Sequence, residues 1–138
     1  MTKRLFAILL LLLFTHIAVA DESDILKEVE HSARSWLEFV DHGQYQESWE
    51  NSSPLLRAKT PEAAWIKSIT TIRSSRGAID TRFIATARAA KSLSGFPNGD
   101  YVVLQFYTTL TGKGLILETV TLAKAQDETW RVCEYTIK

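Results

Sequence analysis

The residue types that most often carry chemistry are scarce in this chain. Of its 138 residues one is cysteine, Cys133, so no intramolecular disulfide forms in any redox compartment. Following Val132 on a strand, Cys133 reads as a small buried hydrophobe; pairing between chains would need an exposed thiol and an aligned second copy. Of the three histidines, His16 falls at the end of an apolar leader, His31 among charged residues and His42 beside a glycine turn. Dispersed in this way, they do not supply the clustered ligands that a zinc site needs, and no metal is expected. No Gly-x-Ser-x-Gly turn presents a nucleophile and no glycine-rich loop cradles phosphate, so no cofactor is expected either. An excess of one charge is also missing, with 16 basic residues against 16 acidic ones. Nucleic acid and anionic membrane are therefore excluded as partners by simple electrostatics.

Only one long apolar run occurs, Leu5 to Phe14, behind the basic start Met1-Thr2-Lys3-Arg4 and ahead of Ala18-Val19-Ala20. Small residues at that spacing are what a signal peptidase reads, so residues 1–20 are expected to be a signal peptide cleaved after Ala20. The run is shorter than the roughly 20 residues that span a bilayer, and Thr15 and His16 interrupt it. No cysteine follows it to take a lipid. The product is then exported, periplasmic or secreted, and free of the membrane once cleaved. Residues 21–138 have the length of one domain with one core, and four Trp, four Tyr and six Phe supply that core.

Ile25, Val29, Ala33, Trp36, Leu37 and Val40 recur at steps of three and four, which predicts an amphipathic helix from about Asp24 to Asp41, opened by Ser23. Gly43 suits the left-handed turn that ends it, and Tyr45 with Trp49 predicts a short second helix. Asn51-Ser52-Ser53-Pro54 is turn chemistry, with Leu55 and Leu56 as anchors. Thr60-Pro61-Glu62 predicts a further helix with Thr60 as its cap, carrying Trp65, Ile69 and Ile72 to a stop near Gly77. From Ala78 to about Lys91 the pattern alternates, with Ala85, Ala87 and Ala89 leaving space above a strand. Close helix packing is the commoner reason for such alanines and a cavity the other. Tyr101–Leu110, Leu115–Lys124 and Thr129–Ile137 read as three more strands, separated by turns. Helices first and antiparallel strands after predict an α+β fold with helices on one face of a four-stranded sheet.

The order Trp36-Leu37, Asp41, Gly43, Tyr45, Ser48-Trp49, Trp65, Arg73, Gly77 and Arg82 continues with Pro97, Gly99, Tyr101-Val102-Val103 and Phe106. It closes on Glu118-Thr119-Val120-Thr121-Leu122, Trp130-Arg131-Val132 and Tyr135. In this it resembles the bacterial domain-of-unknown-function family 4019. That resemblance implies a nuclear-transport-factor-2-like cone, a curved antiparallel sheet wrapped round helices, and implies no established activity. Cys133-Glu134-Tyr135-Thr136 departs from the Ala-Gly-Tyr-Phe expected there, and Ser75-Arg76 from a more apolar pair.

Glu118 alternates with Ile116, Val120 and Leu122, which places a carboxylate on an apolar strand face, a setting that produces either a general acid or base or a structural ion pair with Arg82 or Arg73. The enzymatic reading is isomerase-like or hydrolase-like, with Glu118 as base and Tyr135 and Arg82 as polarising groups. Trp65, Trp130 and Tyr135, with Trp36, are candidates to line an aromatic ligand pocket, although large aromatics at helical spacing are more often core. Because no separate acid and base pair is apparent, the preferred reading is a non-enzymatic module that binds a small molecule or a protein. Gln105, Thr109, Thr119 and Thr121 on the outer sheet face are its contact surface, and a homodimer is one form of it.

Overall fold

Residues 21–138 are described by the computed structural model, so the expected leader and its cleavage after Ala20 lie outside the described residues. Four helices precede four strands: α1 (Glu22–Asp41), α2 (Tyr45–Glu50), α3 (Pro54–Lys59), α4 (Glu62–Ser74), β1 (Ile79–Ala90), β2 (Tyr101–Leu110), β3 (Gly114–Lys124) and β4 (Trp130–Ile137). The strands form one antiparallel sheet in the order β1-β2-β3-β4, so each pairs with its neighbour in sequence.

The apolar stripe of α1 becomes its buried face, with Val29, Ala33, Trp36, Leu37 and Val40 packed on the sheet. The helix starts two residues before the expected Asp24. Asp21 occupies the cap position without a capping side-chain bond, and Ser23 donates its hydroxyl back to Asp21 at 3.1 Å. Gly43, at φ +71°, makes the left-handed turn that releases the chain into α2. Two further helix boundaries differ from expectation. Ser53 accepts from the Leu55 amide at 3.2 Å and Pro54 follows it, so what reads as turn chemistry opens the short helix α3. Thr60 ends α3 and does not cap α4; its carbonyl accepts from Trp49 Nε1 at 2.8 Å, and Pro61 stands at the head of α4.

α3 sits against β4 at the sheet edge, where the Ser53 amide donates to the Val132 carbonyl at 2.8 Å. Its two adjacent leucines therefore serve different clusters: Leu56 joins the main core, while Leu55 packs on Tyr101, Ala123 and Cys133. α1 crosses β4 and β3 and leaves β1 largely uncovered. Irregularities at Ile79/Thr81 and Ile84/Thr86 in β1, and at Thr121/Leu122 in β3, bend the sheet where they occur. On the outer face Phe83, Tyr107 and Leu115 are 63%, 51% and 59% exposed. Gln105, Thr109 and Thr119 are half-buried there, whereas Thr121 is buried and is not available as the contact residue the sequence suggested.

Under the helices an indole-and-serine cluster ties α1, α2 and α4 together. Trp36 Nε1 donates to the Ser48 carbonyl at 2.8 Å and to Ser52 Oγ at 2.9 Å, and Trp65 Nε1 donates to Ser48 Oγ at 3.0 Å. The Trp36 ring lies 5.9 Å from that of Trp65 and 5.4 Å from that of Tyr135, both tilted or edge-on, the arrangements that aromatic quadrupoles favour. Trp36 and Trp65 are thus core residues with satisfied N–H groups.

Candidate functional site

Glu118 and Phe106 pair across β3 and β2, and the alternation of β3 turns Glu118 toward the helices, where it is 0% exposed. Burying a carboxylate there is costly unless it is paired and hydrogen-bonded. Arg82 Nε, from β1, donates to Oε1 at 2.7 Å, and the hydroxyl of Thr108 donates to the same oxygen. The Tyr135 hydroxyl donates to Oε2, and Arg73 from α4 lies 3.8 Å from it. Asp41, on the last turn of α1, completes the cluster: it accepts from Arg82 at 2.9 and 3.1 Å and from Arg73 at 2.9 Å. Two guanidiniums and two carboxylates therefore balance within one enclosure. The structure brings the candidates Glu118, Tyr135 and Arg82 together and adds Arg73, Asp41 and Thr108 around them.

The electrostatics follow from these contacts. Burial alone would lower the Arg82 pKa, but the bonds to Asp41 and Glu118 outweigh it and hold the guanidinium above its ordinary value. Burial and the neighbouring Glu118 carboxylate push the Tyr135 phenol well up, so it is a hydrogen-bond donor and not a phenolate. Asp41 moves the other way: burial would raise it, and the two arginines overcome that and lower it below 3.8. Cys133 is pushed up to about 12, chiefly by burial, which removes it as a thiolate nucleophile at neutral pH.

The lowered Asp41 pKa fixes a pH dependence. A depressed folded value means that the group's stabilisation is present above its unfolded pKa, and is lost as pH falls through the folded one. Asp41→Asn is expected to cost about 1.5–3 kcal/mol at neutral pH, the range for hydrogen bonds to charged groups. The gap to wild type should close as the pH drops below 3.8. Urea melts at neutral pH and in acid measure it, and a gap that stays constant down into acid would show that the charge of Asp41 contributes nothing.

The aromatic candidates do not share one pocket. Trp65 and Tyr135 border a small cleft of about 290 Å³ with Lys59, Phe96 and Cys133. Trp130 borders a separate cleft of about 420 Å³ with Ile25, Ala89 and Lys124. A larger open cleft, about 640 Å³, lies between Leu55, the Pro97–Asp100 turn and the Ala125–Asp127 turn, and contains none of the predicted residues. Among the described residues no three His, Cys, Asp or Glu side chains gather as a metal site would require, and no helix is long and apolar enough to cross a membrane.

Asp41 and Thr108 escaped the sequence reading because their partners lie 41 and 10 residues away in the chain. One signal was available: an acid on the last turn of a helix faces the negative end of its dipole, an unfavourable place unless cations are supplied from elsewhere.

Comparison with known proteins agrees with this arrangement at the level of family and fold. A family model described as "Protein of unknown function (DUF4019)" matches residues 32–135. Two solved structures from Catenulispora Acidiphila are similar, each with a TM-score of 0.52. One is 12% identical over 84% of this chain and 91% of its own. The other, in complex with S-DNPA, is 13% identical over 84% of this chain and 93% of its own. No curated protein matches the chain.

Proposed function

The chain belongs to the DUF4019 family of proteins of unknown function, and we propose that within it this protein is an exported, non-enzymatic binding module. Its bent sheet, with helices on one face, is read as a nuclear-transport-factor-2-like cone whose interior is filled and not catalytic. The observation that carries this is the state of Glu118, 0% exposed and enclosed by Arg82, Thr108 and Tyr135. A general base needs a free lone pair within reach of a substrate proton. Glu118 instead has donors on both oxygens and lines none of the clefts described above. The isomerase-like or hydrolase-like alternative would require Arg82 and Tyr135 to let it go. Glu118→Gln is the test: a structural counter-ion predicts loss of stability, and an unpaired base predicts a gain.

Binding then falls to the surface. The open clefts suit a small molecule, and a structural neighbour holds S-DNPA. The outer sheet face suits a protein, because Phe83 pairs with Tyr107 and Tyr107 with Leu117 in one row across three strands, with Leu115 beside them. A contiguous apolar patch of this kind marks a contact surface, and a second copy of the chain is the proposed occupant. Native mass spectrometry of the secreted or periplasmic product reads two parts of the proposal at once. The expected result is a chain that begins at Asp21 and travels in pairs; a retained leader would overturn export, and a monomer at micromolar concentration would overturn the dimer.

A further inference from the structure

The alanines of β1 line an open groove. Ala87 pairs with Leu104 and Ala89 with Val102, so both methyl groups lie on the sheet face that carries the core. Leu104 and Val102 are buried, yet Ala87 and Ala89 are exposed, because α1 crosses β3 and β4 and leaves this end of β1 open. The expectation of close helix packing over these alanines is thus corrected: the space above them is a groove. One stretch of it, about 380 Å³, runs between the first turns of α1 and Ala87, Ala89 and Val102. A second, about 420 Å³, continues from the shared Ile25, Ala89 and Val102 to Trp130, Lys91 and Lys124. Leu26, 37% exposed, roofs the first stretch.

Three features restrict the occupant. The floor and roof are apolar, from Ile25, Leu26, Ala87, Ala89, Val102 and Trp130, with the charged groups at the rim, and a strand rise of about 3.3 Å gives roughly 13 Å between Ala87 and Lys91. The two ends differ in charge. At one, Lys91 pairs with Asp100 while Lys124 has no ion-pair partner among the described residues, so two ammonium groups share one carboxylate. At the other, Glu22 and Arg88 supply one charge of each sign, so the net positive end is the one that holds Lys91 and Lys124. Finally, the balance of 16 basic and 16 acidic residues gives no net positive charge to draw the protein to an anionic bilayer.

We propose that this groove binds a free long-chain carboxylate, its acyl chain along Ala87 and Ala89 beneath Ile25 and Leu26, and its head group against Lys124. The inference rests on the reading of the chain as a binding module and names its ligand class; Glu118, which decides that reading, is not part of the groove, so the two fail separately.

The experiment is calorimetric titration of the purified protein with dodecanoate, below its micelle concentration. Wild type is expected to bind. Ala89→Phe, which fills the groove from an exposed position on an edge strand, should weaken binding at least about tenfold, and Lys124→Glu by about tenfold. Phe83→Ser, on the opposite sheet face, should leave binding unchanged. Ala87→Leu serves as a second filling variant, and urea melts confirm that each variant is folded. Absence of binding to wild type, or equal binding by folded Ala89→Phe and Ala87→Leu, would overturn the site. Binding to phosphatidylglycerol vesicles without binding of free dodecanoate would also overturn it, in favour of a membrane surface.

Discussion

Replacing Trp36 by alanine is expected to lower stability by about 3–5 kcal/mol, the usual cost of truncating a buried aromatic. The indole is buried at the centre of the helical layer, packed on Trp65 and Tyr135, and its N–H is shared by the Ser48 carbonyl and Ser52 Oγ. Truncation removes the packing and takes one donor from Ser52 Oγ and one from the Ser48 carbonyl, which keeps the Ser52 hydroxyl as its remaining side-chain donor. α2 has only six residues, too few to be helical alone, so it should loosen with the loss. Urea melts check this; a change under about 1 kcal/mol with an unaltered denaturant slope would mean that Trp36 is not a keystone of the core.

How much was legible in the sequence follows from the range over which each feature is determined. The stripe of α1 and the four strands rest on local periodicity, and they appear within a residue or two of expectation. The element that was missed, α3, is determined by two signals with two meanings: Ser53-Pro54 makes a turn as readily as it opens a helix, and only packing of Leu55 and Leu56 on opposite sides of the β4 edge decides between them. Thr60 is a similar case, since a tertiary bond from Trp49 claims its carbonyl. In the charge cluster, Glu118 stood out because a carboxylate on an apolar strand face has few explanations, and Arg82 and Arg73 were the cations in range. Thr108 has no such local mark, and the only one Asp41 has is its place at the negative end of a helix. The alanines of β1 were visible, but their meaning depended on the path of α1 over the sheet, which no local pattern contains.

Glu118→Gln is expected to cost about 3–5 kcal/mol at neutral pH, as breaking a buried ion pair from one side does. The substitution keeps the shape and removes the charge. Every hydrogen bond to Glu118 comes from a donor, Arg82 Nε on one oxygen, the Thr108 and Tyr135 hydroxyls on the two. An ionised carboxylate only accepts, so it satisfies all three at once. A glutamine amide must turn its NH₂ toward one side: against Arg82 Nε it sets two donors face to face, and against Tyr135 it forces the hydroxyl to accept and to give up its own acceptor. Arg82 would keep Asp41 but lose its second anion, and a net positive charge would remain enclosed. The same geometry leaves Glu118 no free lone pair for proton abstraction, so one substitution addresses both the fold and the proposal of a non-enzymatic module.

The most direct measurement is therefore the urea midpoint of Glu118→Gln against wild type at neutral pH, with the slopes compared to confirm two-state unfolding in both. The account predicts a clearly lower midpoint at unchanged slope for Glu118→Gln. A midpoint equal to or above that of wild type would contradict it, because it would mean that the carboxylate is held in the core at the expense of stability, as a functional base is.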